Sequence, residues 1–258
     1  MSIRSFRRSE LAGASFLMFC GMLGGQLVAG CHAEPDDNIP GQKTAPRKAT
    51  PPPPPCDNAS DPVLATPFTD TFDRTDLGEA DWRSTSYGAY VIKSGRLCTS
   101  KPKNHPLWLR RKLPLNARIE FEALAQTTGA DIKAEFFGDG CAFDPDGRDY
   151  TATSYVAVLG AHGNTEHWLA RLSEHGADLK KTVLTTGTSI ASSRVVVNTS
   201  YKVELARTDG KTVTLKVNGE LVHAFEDASP LEGAGHDHFG FNGWEAPVCF
   251  DNLTVTPL

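Results

Sequence analysis

The sequence holds no Cys-x-x-Cys pair and no Gly-x-Ser-x-Gly elbow. The first absence argues against a thiolate zinc site, the second against an α/β-hydrolase nucleophile. Basic runs are missing too: 26 Lys and Arg face 31 Asp and Glu, for a net charge of −5. A mildly acidic chain without a cationic stripe is not expected to bind nucleic acid. No long segment carries the i, i+3, i+4 apolar stripe of a helix. Gly210-Lys211-Thr212 mimics the end of a phosphate loop, but Leu205 stands where that loop needs glycine. The longest charge-free apolar stretch, residues 11–28, is short for a spanning helix and is interrupted by Gly13, Gly21, Gly24 and Gly25.

That stretch follows Arg4, Arg7 and Arg8 and ends in Val28-Ala29-Gly30-Cys31. A basic start, an apolar run and small residues before a boundary are the layout of a secretory signal. The ending resembles the bacterial lipobox. That resemblance implies cleavage before Cys31 and acylation of its thiol. An ordinary signal peptide or an uncleaved N-terminal helix is the plainer alternative. His32, not Asp, follows the cysteine, and the resemblance therefore implies the outer membrane. The expected product is a lipid-anchored cell-envelope protein with 23 basic and 30 acidic residues, a net charge of −7.

Residues 31–66 are rich in Pro, Thr, Lys, Asp and Asn, with five consecutive prolines at 51–55. This composition predicts an extended tether. The folded domain is expected over residues 67–258, long enough for one substantial core. Besides Cys20 and Cys31, four cysteines remain: Cys56, Cys98, Cys141 and Cys249. In an exported chain they suggest two disulfides, with three possible connectivities.

The domain reads as strands throughout. Thr212, Thr214 and Lys216 alternate with Val213, Leu215 and Val217, a period of two. Asp209-Gly210, Asn218-Gly219 and Ser94-Gly95 read as tight turns of type I′. Further strands are expected near 68–73, 106–113, 117–125, 131–137, 152–160, 165–173, 193–197, 236–242 and 247–256. Many short strands in one domain predict an all-β, two-sheet antiparallel sandwich or jelly roll.

Phe68-x-Asp70-x-Phe72-x-Arg74, Trp82 and Val91-Ile92-Lys93-Ser94-Gly95-Arg96-Leu97 resemble the opening of bacterial concanavalin A-like jelly rolls. Val248-Cys249-Phe250-Asp251-Asn252-Leu253-Thr254-Val255 resembles their last strand. Within that group the chain is most similar to laminin-G-like and 3-keto-disaccharide-hydrolase-type domains, over residues 68–256. It departs from the latter at Thr128-Gly129-Ala130-Asp131, where they carry Asn-Ser-Gly. In this fold an early strand neighbours the final one, which implies Cys98–Cys249 and leaves Cys56–Cys141.

The resemblance also implies a ligand face on the sheet surface opposite the core. Strand alternation nominates Trp108, Arg110, Glu135, His167, Arg171, His236, His238 and Asn242 for it, with Lys133 beside Glu135. Leu107, Leu109, Trp168, Ala170, Leu172, Phe239 and Phe241 are expected to face inward. Aromatic rings stack on sugars while carboxylates, amides and guanidinium groups bind hydroxyls. Trp108 is expected to stack, and Trp244 to cap the sandwich edge. His236-x-His238 with His167 or Glu135 is a candidate zinc chelate. Asp139 with Asp144, Asp146 and Asp149 is a candidate Ca²⁺ loop, although Asp-Pro and Asp-Gly also form ordinary turns.

No complete catalytic set can be assembled. Glu120 and Glu122 share a strand face but lack a third acid. The expectation is non-catalytic glycan binding, with a polysaccharide or glycoconjugate as partner. The alternatives are a hydrolase or lyase of the same fold, with Glu135 or a face histidine as acid/base, and a structural envelope protein without a small ligand.

Overall fold

Alternating strands set the first sheet. In β6 (Ala117–Ala125), Ala117, Ile119, Phe121, Ala123 and Ala125 are buried and the residues between them are more open. β11 (Tyr201–Arg207) and β12 (Thr212–Val217) bury Val203, Leu205, Val213, Leu215 and Val217 in the same way. With β13 (Glu220–Glu226), β15 (Val248–Pro257), β4 (Leu97–Thr99) and β3 (Tyr90–Ile92) they form the order β13-β12-β11-β6-β15-β4-β3. β1 (Phe68–Asp70) also pairs with β15.

The second sheet has the order β10-β9-β8-β7-β14-β5-β2. Its strands are β10 (Leu179–Val183), β9 (Glu166–Arg171), β8 (Tyr155–Gly160), β7 (Ile132–Gly138), β14 (His238–Asn242), β5 (Leu107–Leu109) and β2 (Trp82–Ser84). All named strand pairs are antiparallel. The protein is thus the all-β sandwich that the alternation predicted. This computed structural model describes residues 57–86, 88–142 and 152–258.

Between the sheets lies an aromatic core. Phe121 and Phe250 come from the first sheet, Phe239 and Phe241 from the second. Phe241 stacks on Phe250 at 4.2 Å and meets Phe121 edge-on at 5.2 Å. Burying each ring contributes about 1.5–3 kcal/mol. The second sheet is also covered on its other side. Ala152, Val156, Val158, Ala161, Trp168 and Ala170 form a separate apolar cluster there. Every residue of β7 and β8 is consequently buried.

Turn chemistry follows the sequence at two sites. Ser94 and Gly95 have φ of 53° and 69°, and Asn218 and Gly219 of 50° and 84°, as a type I′ hairpin requires. Asp209-Gly210 differs: only Gly210 has positive φ, and the Asp209 carboxylate accepts the Lys211 and Thr212 N–H groups. An acidic side chain there holds a longer turn by mimicking backbone.

The opening motif has a structural role. Asp70 accepts from Phe72 N–H, from Trp82 Nε1 at 2.9 Å and from two Arg74 nitrogens at 2.5 and 2.8 Å. One buried carboxylate thus ties β1 to β2 and explains the spacing of Asp70, Arg74 and Trp82.

Cys98 and Cys249 stand directly opposite on β4 and β15 and form the expected disulfide, with S–S 2.07 Å. Cys141 is also disulfide-bonded. Cys56, Cys31 and the Ca²⁺-loop candidates Asp144, Asp146 and Asp149 lie outside the described residues.

Three expectations need correction. Residues 193–197 form no strand; a 3-10 turn at Ile190–Ser192 precedes them, and Ser193 makes only an isolated bridge to Thr185. β2 and β10 were not foreseen. Residues 57–66, read as tether, pack on the sandwich: Asp61 and Leu64 are buried and Val63 bridges Lys112. Asp61 supplies the anchor there, bonded by Arg83 at 2.8 Å and by His238 Nε2 at 3.2 Å.

Candidate functional site

Register places two rows of side chains on the outer face of the second sheet. One row runs Trp108, Gly240, Glu135, Val156, Ala170 across β5, β14, β7, β8 and β9. The next runs Asn242, Lys133, Val158, Trp168, Lys181 across β14, β7, β8, β9 and β10.

The first row is sealed. Trp108 faces away from the core as expected, but it is 0% exposed. Its indole lies over Gly240 and Gly138, where a Cβ would come within 2.7 Å and 2.4 Å of the ring. It therefore offers no open stacking face. Among the described residues its Nε1 finds no partner. Glu135 is fully buried beside it, accepting from Ser154 Oγ at 2.7 Å and Asn242 Nδ2 at 2.6 Å. Burial pushes the Glu135 carboxyl up to about 8, against the downward pull of those two hydrogen bonds.

The second row opens into a cleft of about 450 Å³, within the size range of small-ligand sites. Lys133 forms part of its lining and is itself buried. Its ammonium donates to Asn104 Oδ1 at 2.8 Å and to both Glu174 oxygens at 3.0 and 2.9 Å. Burial opposes its charge, but Asp131 and Glu174 outweigh burial and hold Lys133 above the usual lysine range. Asp131 Oδ2 accepts the Trp244 N–H at 2.8 Å and so fixes the loop that carries the second wall.

That wall is Trp244, 37% exposed where a capping role was expected. The opposite wall is built on Trp168, only 3% exposed because His162 and His175 cover it. Both imidazoles meet the indole edge-on, at 4.7 and 5.5 Å, and they stack on each other at 6.1 Å. His162 owes its position to a left-handed turn at residues 160–164, where Gly160, His162, Gly163 and Asn164 have φ of 76°, 49°, 66° and 68°. Asn164 clamps this turn by bonding both the N–H and the C=O of Val195. A non-glycine residue in this region costs energy and persists where surrounding contacts enforce it.

Of the residues nominated from sequence, the outer face brings together Trp108, Glu135 and Asn242. The phase of β9 is inverted. Trp168 and Ala170 belong to the outer cluster, while Leu169 joins the main core. His167 and Arg171 therefore turn to the inner side. His167 is buried, accepts the Gly160 N–H at 3.1 Å and is pushed down to about 4 by burial. Arg171 binds Asp227 at 2.6 Å. Bulk does not mark the core side of β9, because both faces of the sheet are apolar here, and one residue of shift exchanges the faces.

Arg110 lies at the margin, 3.5 Å from Asp61. His236 precedes β14, in a turn with Gly233 and Gly235 at positive φ, and its Nδ1 meets Thr153 O at 2.7 Å. His238 is buried between Asp61 and Asp237, at 3.2 and 2.6 Å. The two imidazoles therefore serve different partners rather than a shared chelate. Among the described residues no three His, Cys, Asp or Glu side chains converge as metal ligands.

Sequence reasoning missed the cleft itself. Its signal was the Gly160-Ala161-His162-Gly163-Asn164 string between two apolar strands, dense in residues that accept positive φ.

No protein-family model matches the sequence, and no curated protein matches it. Solved structures do resemble the fold. A structure titled native glycosidic hydrolase superposes with TM-score 0.52 at 10% identity, covering 76% of this chain and 98% of that one. A sialidase gives 0.51 at 12% identity over 76% of this chain, but only 19% of its own length is matched. The carbohydrate-binding module CBM66 from Bacillus subtilis gives 0.49 at 13% identity, covering 68% and 95%. At these identities the first two superpositions establish the jelly-roll architecture alone, and function rests on the site.

Proposed function

We propose that the domain is a non-catalytic saccharide-binding module, held at the cell envelope by a lipid on Cys31. The observation that carries this reading is the contrast between the two rows. An open cleft presents an exposed Trp244 beside hydroxyl-binding groups on Asn104 and Asp131. Among the described residues the carboxyl group poised as an acid near neutral pH, Glu135, is sealed away from that cleft. Sugar rings stack on exposed indoles while amides and carboxylates take their hydroxyls, which suits the cleft. The proline-rich stretch at 51–55 fits a spacer between such a module and its anchor.

The enzyme reading draws on Glu135, whose raised pKa is the property of a general acid. It requires a substrate to reach a group that is 0% exposed. A glycan array probed with residues 32–258, followed by product analysis on every glycan retained, tests both readings. Retention without cleavage is the expected result. Cleavage that Glu135→Gln abolishes would establish the enzyme, and retention of no glycan would favour a structural envelope role.

A further inference from the structure

The charge arrangement of the cleft carries the saccharide reading one step further, to the class of sugar. Three carboxylates line it, those of Asp131, Glu174 and Glu245, against one ammonium, Lys133. Among the described residues Lys133 is the only Lys or Arg in the lining. An ammonium has three donors, and all three of its bonds are made within the protein: one to Asn104 and two to Glu174. The one ammonium of the cleft is therefore spent within the protein, and the other cationic donors the lining can offer are the imidazoles of His162 and His175 when protonated. Glu245 stands on the rim with only Lys103 near it, at 3.9 Å and with both side chains half exposed, a contact that water screens. Asp131 spends one oxygen on the Trp244 N–H and lies beside the exposed indole.

An acidic sugar would meet the carboxylates of Asp131 and Glu245 here and, among the described residues of the lining, find no free ammonium or guanidinium donor. A protonated amine would meet Asp131 and Glu245 beside an aromatic ring, and both carboxylate and π-face attract a cation. We infer that the cleft takes a glycan carrying free amino groups, of the 2-amino-2-deoxyhexose class. This rests on the saccharide reading and refines it.

The test is calorimetric titration of the domain with four tetrasaccharides at one pH that keeps the sugar amine charged. They are β-1,4-linked glucosamine, its N-acetylated form, β-1,4-linked glucose and an oligogalacturonate. A tetralysine peptide is the fifth arm. Tightest binding of the glucosamine form is expected, by about tenfold over the acetylated and neutral forms, the scale of one charge-assisted contact. Added salt should erode that margin. Glu245→Gln on the exposed rim should narrow it while leaving the neutral tetrasaccharide unaffected. Equal or tighter binding of the neutral, acetylated or uronate form overturns the amine preference and leaves the saccharide site standing. Equal binding of tetralysine overturns it in favour of a cationic peptide. Binding of none of the five removes both this inference and the reading beneath it.

Discussion

Trp108 and Gly240 stand directly opposite each other on β5 and β14, and the indole occupies the space a side chain at 240 would need. A Cβ there would lie 2.7 Å from Trp108 Cε3 and 3.1 Å from the Leu107 carbonyl oxygen. Gly240→Ala should therefore destabilise the domain by about 1–3 kcal/mol, the cost of overpacking. Gly129→Ala is the control, since its Cβ would find nothing nearer than 3.6 Å. Urea midpoints of the two variants should separate clearly.

The two cleft tryptophans should part, with Trp244 departing from the capping role its sequence context suggests. Trp168 is packed into the outer cluster, and Trp168→Ala should cost about 3–5 kcal/mol of stability. Trp244 is 37% exposed, and Trp244→Ala should leave the melting temperature nearly unchanged. Loss of a stacking face should weaken any glycan the wild type holds by about tenfold. Thermal melts and titrations on the same two proteins settle it; an unchanged affinity for Trp244→Ala would remove that ring from the site.

Two buried groups give the stability curve opposite slopes. Glu135 has its folded pKa raised from 4.5 to about 8, so the folded state holds a proton that the unfolded state releases. Stability from this group is greatest below pH 4.5 and falls as pH rises toward 8. His167 is lowered from 6.5 to about 4, so its contribution is present above pH 6.5 and is lost as pH falls toward 4. Glu135→Gln should flatten the alkaline decline, and His167→Gln the acid one, whatever each does to the absolute value. Unfolding free energies measured from pH 4 to pH 8 show the slopes.

The Cys98–Cys249 disulfide closes a loop spanning 151 positions. Restricting so long a loop in the unfolded chain predicts a loss of about 2–5 kcal/mol for the Cys98→Ala, Cys249→Ala double variant. Equilibrium urea unfolding under oxidising conditions measures it. A midpoint equal to the wild type would place the bond's role elsewhere.

For the anchor, Cys31→Ser should move the protein from the membrane fraction to the soluble one. Acyl chains contribute about 0.8 kcal/mol for each buried CH₂, and the variant carries none. Continued sedimentation with membranes would mean that residues 11–28 act as an uncleaved helix.

The sandwich was legible because its evidence is local. Asn218-Gly219 and Ser94-Gly95 announce their turns, and the alternation in β6, β11 and β12 names the buried face of each strand. The pairing of Cys98 with Cys249 came through resemblance in fold. The cleft was hidden for a different reason. Asp131 with Lys133, Glu174, and Trp244 come from three separate parts of the chain and acquire meaning only in each other's company. Trp108 looked like an open platform because nothing near it in sequence points to Gly138 and Gly240. β9 was read with its faces exchanged because His167 and Arg171 are polar, yet it is their side that turns toward the interior. Alternation marks the core side where the other face meets water, and at β9 it does not.

The position of β15 sets a timetable for folding. It is hydrogen-bonded to β6, β4 and β1, so it lies inside the first sheet although it follows every other strand in the chain. A growing polypeptide that has not reached residue 248 holds β6 with a bare edge, and β4 without the neighbour that joins it to the sheet. Its aromatic core lacks Phe250, and Cys98 has no thiol to meet. Such a chain has little to gain by collapsing before its last strand is made.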